Sequence, residues 1–180
     1  SQGAESSTAT EEAAGEGEGS RREQAAAALQ GLLERKQQGV TTVMLRNIPT
    51  RYTQRLLLRG LQDLSCTHDM DLLYLPLDSR KQRNLGYAFV DCCTPEAAEA
   101  FCDVVRGVKL PLFKSSKVLD TCPAKVQGFS RNLKAVLKNL GKGKNLGPEF
   151  QPLVFDPATC RQIPLIPLLG PAAAAPDAAC

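Results

Sequence analysis

LGYAFVDC, at residues 85–92, decides the fold of this chain. Side chains on a β-strand alternate between faces. Leu85, Tyr87, Phe89 and Asp91 therefore share one face, and Ala88, Val90 and Cys92 share the other. The second set is small and apolar, as a surface covered by helices requires. The first set puts two aromatic rings next to each other on the opposite side. The segment reads as a strand with one packed face and one open, aromatic face.

The flanking sequence supplies the partners of that strand. Residues 41–48 alternate as a first strand and stop at Pro49. Thr53 is a helix N-cap, followed by Leu57, Leu58, Leu61 and Leu64 at helical spacing. Residues 71–77 form a second strand, and 79–84 a polar loop with Arg80, Lys81 and Arg83. Thr94, Pro95 and Glu96 open a second helix whose buried face is Ala97, Ala98, Phe101, Val104 and Val105. Residues 117–125 give a fourth strand, with Pro123 implying an irregular or edge position. The order βαββαβ predicts an α+β, ferredoxin-like sandwich. Residues 130–140 add a C-terminal helix, with Leu133, Val136, Leu137 and Leu140 on one face and Arg131, Lys134 and Lys138 among its charges.

Around this domain, placed at 40–147, the sequence is simpler. Residues 1–20 offer no large apolar side chain and are expected to be disordered. Residues 21–38 spell a short helix with Leu29, Leu32 and Leu33 on one face; alone it is marginal, so a solvated lead-in is equally open. GKGKNLG, at 141–147, lacks the spacing of a phosphate loop and reads as a flexible basic linker. Residues 148–180 form a Pro- and Ala-rich tail in which 150–155 is placed to dock as an extended segment. The chain opens without Met, so a piece of a longer protein is expected.

Composition narrows the chemistry. Residues 1–40 hold 4 basic and 7 acidic side chains, 41–147 hold 17 and 9, and 148–180 hold 1 and 3, giving net charges of −3, +8 and −2. A basic domain between acidic tails suits a polyanionic partner. The 7 cysteines contain no CxxC pair and His68 is the only histidine, so neither a zinc site nor a disulfide framework is spelled out. Reduced thiols in a nuclear or cytoplasmic protein are expected. No apolar run is long enough to span a membrane. No nucleophile stands beside a base, and no paired carboxylates suggest an enzyme. Asp69, Asp71 and Asp78 read as solvated strand ends, Cys92–Cys93 as one core and one surface thiol, and His68 as a loop residue.

Gly86, Tyr87, Ala88, Phe89 and Val90 match the eight-residue signature of the RNA recognition motif in an unbroken row. Leu85 and Cys92, at its ends, depart from it. The first-strand segment VMLRNI, residues 43–48, corresponds to the shorter signature, with Met44 where an aromatic is usual. More narrowly, TTVMLRNIPTRYT, YLPLD, NLGYAFVDC, KVQG and PEFQPLVF are similar to the C-terminal RNA recognition motif of the Mei-two-like proteins, regulators of meiosis and development. Met44 and Leu85 are expected within that family. The resemblance implies single-stranded RNA binding in post-transcriptional regulation, without catalysis or a small-molecule cofactor. Phe89 would stack on a base, Tyr87 would wedge against a sugar or second base, and Met44 would lie flat beside them. Tyr74 joins the platform if it faces the same way. Arg46 would meet a phosphate or base edge, and Arg80, Lys81, Arg83 and Lys125 would draw in the backbone. Leu85 and Gln127 complete the set. The alternative is a module of the same fold that docks a protein partner and binds RNA weakly.

Overall fold

Val43, Leu45, Leu73, Ala88, Val90 and Cys92 line one face of a sheet and pack against Leu57, Leu61, Ala98, Phe101 and Val105 from two helices. The computed structural model describes residues 12–78, 80–142 and 147–165. Its elements are α1 (Glu12–Glu34), β1 (Thr42–Arg46), α2 (Gln54–Asp63), β2 (Met70–Tyr74), β3 (Leu77–Asp78), β4 (Arg83–Asn84), β5 (Tyr87–Cys92), α3 (Pro95–Val105), β6 (Asp120–Pro123), α4 (Phe129–Lys142), β7 (Leu153–Phe155) and β8 (Gln162–Ile163). The main sheet runs β6–β1–β5–β2–β7–β8, all antiparallel, and β3–β4 form a separate ribbon. The first four strands with α2 and α3 are the βαββαβ sandwich, and the fold is α+β.

Local chemistry starts the helices where the sequence places them. The Thr53 hydroxyl accepts from Leu56 N at 3.2 Å, and the Thr94 hydroxyl from Ala97 N at 3.2 Å. Each such cap contributes about 1 kcal/mol. β5 begins at Tyr87 rather than Leu85, because Gly86 turns with φ of 87°. Only glycine holds that conformation without strain.

Several expectations are revised. The fourth strand is confined to Asp120–Pro123, and the second divides into β2 and β3 around Pro76. Residues Glu12–Ser20, expected to be disordered, belong to α1, which ends at Glu34 instead of running to 38. Nor is α1 a solvated lead-in. Leu29 and Leu32, 2% and 3% exposed, pack with Phe129 and Leu133 of α4 over Leu72, Val154, Ile163 and Leu165. Finally, Gln162–Ile163, expected in a loose tail, pairs with β7. The packed unit therefore reaches beyond 40–147 on both sides. For α1 the physical reason is that its apolar partners lie far away in sequence; β8 pairs with nearby β7, but Ile163 also packs against the distant Leu29 and Leu32. Residues 1–11, 79, 143–146 and 166–180 lie outside the described residues.

This arrangement makes a test of α1. Leu32→Ala should cost about 2–4 kcal/mol in urea unfolding, as for a buried leucine truncated in a core. A solvated lead-in would leave the midpoint unchanged.

Candidate nucleic-acid interface

Opposite the α2–α3 core, the register of the sheet lays side chains in rows. Cys122, Met44, Phe89 and Tyr74 follow one another across β6, β1, β5 and β2. The next row is Asp120, Arg46 and Tyr87. On the other side lies the row Thr42, Asp91, Leu72, Val154, and this one is covered by α1 and α4. The face is thus divided: β6, β1 and β5 stay open at the Tyr87 end, and β2, β7 and β8 are roofed.

The open part carries the aromatic pair. Tyr87 and Phe89 are half-buried, their ring centroids 5.7 Å apart and their planes 78° to one another. An edge-to-face pair of this kind holds both rings in place without covering their outer surfaces. Tyr74 stands directly across from Phe89 and leans partly on the second core at the foot of the roof. Burial, helped by the nearby Tyr87 phenol, raises its pKa. Met44 is half-buried between Phe89 and Cys122.

The cations are distributed around this platform. Arg46 is exposed and ion-paired with Asp120, whose carboxylate also lies 3.9 Å from Arg106 Nε. The side-chain hydrogen bond from Arg46 comes first among the causes holding Asp120 below the usual carboxylate range, and the same bond raises the guanidinium. A phosphate at Arg46 would have to displace Asp120. Arg80, Lys81 and Arg83 are exposed on the β3–β4 ribbon. There the Asp78 carboxylate accepts from the main-chain N–H of Arg80 and Lys81 at 2.9 and 3.2 Å, which keeps it below its ordinary pKa. Leu85 is 49% exposed just before β5, and Lys125 is exposed just after β6.

The model of the family described as RNA recognition motif 2 matches residues 40–137. The chain belongs to that family. Among curated relatives of this RNA recognition motif, it is 35% identical over 122 residues to Protein MEI2-like 5 of Oryza sativa subsp. japonica, covering 65% of this chain and 14% of that protein. It is 40% identical over 88 residues to Protein MEI2-like 1 of Arabidopsis thaliana, covering 49% and 10%. It is 32% identical over 115 residues to Meiosis protein mei2 of Schizosaccharomyces pombe (strain 972 / ATCC 24843), covering 64% and 15%. The chain therefore spans only a small part of the length of these relatives. Among solved structures it is similar to the Rna15 RRM with bound RNA (GU), with a TM-score of 0.43 and 19% identity over 57% of this chain and 99% of that one.

One residue of the motif has a different job from the one expected. Gln127, expected at the RNA, has its side-chain amide committed to the main chain. Its oxygen accepts from Thr41 N and Thr42 N at 3.0 and 2.9 Å, and its nitrogen donates to the Thr42 and Ala124 carbonyls at 2.8 and 2.7 Å. It splints the start of β1 to the end of β6. Gln127→Ala should lower stability by about 1–3 kcal/mol, because buried main-chain groups lose their partners. Calorimetry of the variant measures this.

Asp71, expected at a solvated strand end, is also different. It is the extra residue of a β-bulge, fully buried beside Asp91 and bonded by Arg35. Asp91 takes the hydroxyls of Thr41 and Thr42 and the Gln37 amide, leaving Asp71 Oδ1 without a hydrogen-bond partner among the described residues. Burial first, and Asp91 second, push the Asp71 carboxyl from 3.8 up to about 8 against the opposing pull of Arg35. A carboxyl raised on folding contributes stability that is complete below its ordinary pKa and lost as pH rises through the folded one. Stability should therefore fall between about pH 4 and about pH 8, and Asp71→Asn should flatten that slope in chemical unfolding curves.

The thiols are placed in keeping with their surroundings: Cys92 is buried in the core and Cys93 half-buried, and burial pushes Cys93 and Cys66 each up to about 11. Among the described residues no group of three or more His, Cys, Asp or Glu is placed to hold a metal ion, and no helix is long and apolar enough to cross a membrane.

Proposed function

We propose that the chain binds single-stranded RNA on the unroofed part of its sheet, as a non-catalytic module of a nuclear or cytoplasmic post-transcriptional regulator. The observation that carries this reading is the Tyr87–Phe89 pair, fixed edge to face and left open on the two neighbouring rows that Met44 and Arg46 share with it. Unpaired bases stack on such rings. The relative named Meiosis protein mei2 supports a role in meiosis.

Phe89 takes the first base and Tyr87 the sugar or second base. Met44 widens the floor, since a thioether packs flat although it lacks a π-face. Arg46 exchanges Asp120 for a phosphate, and Arg80, Lys81, Arg83 and Lys125 attract the backbone from the rim.

A titration of the full chain against a pool of short single-stranded RNAs, at two salt concentrations, tests the proposal. Phe89→Ala should weaken binding by about 1–3 kcal/mol with little loss of stability. Tyr87→Ala/Phe89→Ala should abolish measurable binding. Equal binding by wild type and double variant, with only salt-dependent contacts left, would remove the platform from the reading and turn attention to a protein partner.

A further inference from the structure

Three segments meet at the end of the sheet where Arg46 pairs with Tyr87, and all their charged side chains are cationic. Residues 47–53, 83–86 and 107–118 contain Arg51, Arg83, Lys109, Lys114 and Lys117, and no Asp or Glu. None of these five is in an ion pair among the described residues. A patch of unpaired cations with no acid among them favours a polyanion.

The loops are stitched together. Ile48 N donates to the Gly86 carbonyl at 3.0 Å, and Asn84 N to that of Thr50 at 3.3 Å. The buried Asn84 amide donates to the Pro49 and Tyr52 carbonyls at 2.9 and 2.8 Å. On the other side, Leu112 N donates to the Tyr52 hydroxyl at 2.9 Å, and Lys117 Nζ reaches the Ile48 carbonyl at 3.5 Å. Tyr52, itself buried, meets Phe113 edge to face at 5.1 Å, and the exposed Arg51 guanidinium lies 4.8 Å from the centre of the Phe113 ring.

We propose that this loop cluster is a second RNA subsite, which takes the nucleotide leaving the sheet past Tyr87. Arg51 stacks on its base, and Lys114 and Lys117 hold the flanking phosphates. A guanidinium plane is a stacking surface for unpaired bases, and one already laid on Phe113 loses little freedom when a base arrives. The exposed Leu112 and Leu85 provide apolar surface beside it. An acidic peptide would satisfy the lysines but would leave the Arg51 guanidinium, held over Phe113, without a base to stack on. The proposal rests on the platform reading, and the two are separable by RNA length.

The test compares tetranucleotide and decanucleotide single-stranded RNA pools against the full chain. Wild type should bind the longer pool more tightly. Arg51→Ala and Lys114→Ala/Lys117→Ala should each weaken decanucleotide binding by about five- to a hundredfold, leaving tetranucleotide binding and the unfolding temperature as they are. Arg51→Lys, which keeps the charge and removes the plane, should not restore the lost affinity. The lysine pair should also reduce the salt slope by about 0.7 for each phosphate contact removed. Undiminished decanucleotide binding by the Arg51 and lysine variants would overturn the subsite. Insensitivity of tetranucleotide binding to Tyr87→Ala/Phe89→Ala would instead overturn the platform, so the two failures are distinguishable.

Discussion

A carboxylate with no exposure to water, Asp91, holds the two halves of this molecule together. Burying such a group is costly unless several donors compensate it. Here the donors come from three places: the hydroxyls of Thr41 and Thr42 where β1 begins, the Gln37 amide in the connection before it, and Arg35 at the end of α1, 3.8 Å away. The same side chains continue outward. Thr42 Oγ1 accepts from Gly128 N and Asn132 Nδ2, and Gln37 Oε1 accepts from Phe129 N. The end of α1, the first residues of β1 and the first turn of α4 are thus bonded into one knot above the sheet.

That knot determines how much of the sheet face is left for a ligand. It sets α1 and α4 over Leu72 and Val154, where their leucines bury a second apolar core. The aromatic rows at the far end keep their access to solvent. Polar bonding sets the position of the roof, and apolar burial supplies most of its adhesion. A face roofed along only part of its width stays accessible from one side, toward the loops around Tyr52.

The two-residue alternation made much of this readable in advance. Val43, Leu45, Ala88 and Val90 spell the core side, and Met44, Arg46, Tyr87 and Phe89 spell the other, because register leaves no third choice. What these side chains do for a ligand is a separate matter. The roof was not readable, because Leu29 and Leu32 depend on Leu72 and Val154, and no local periodicity connects them. Asp71 escaped because a bulge breaks the alternation at that residue. Gln127 escaped for another reason: a polar side chain near a binding face looks the same in sequence whether it serves a ligand or the main chain. Arg51, Phe113, Lys114 and Lys117 sit in loops, where spacing carries no geometric information until hydrogen bonds through Asn84 and Tyr52 draw the loops together.

The extension of the sheet by β7 and β8 also bears on how the protein behaves in a crowded solution. Exposed strand edges invite pairing between molecules, and short or interrupted edges discourage it. β2 is sealed by β7, and the flank that remains is β8, two residues long. At the other flank β6 ends at Pro123, which has no N–H to offer, and the chain just before it is bonded to the turn after α3 through Gly107 and Val108. Among the described residues, neither border offers a run of free main-chain groups long enough to template a second copy. The molecule can expose an aromatic sheet face to solvent and still resist edge-to-edge self-association.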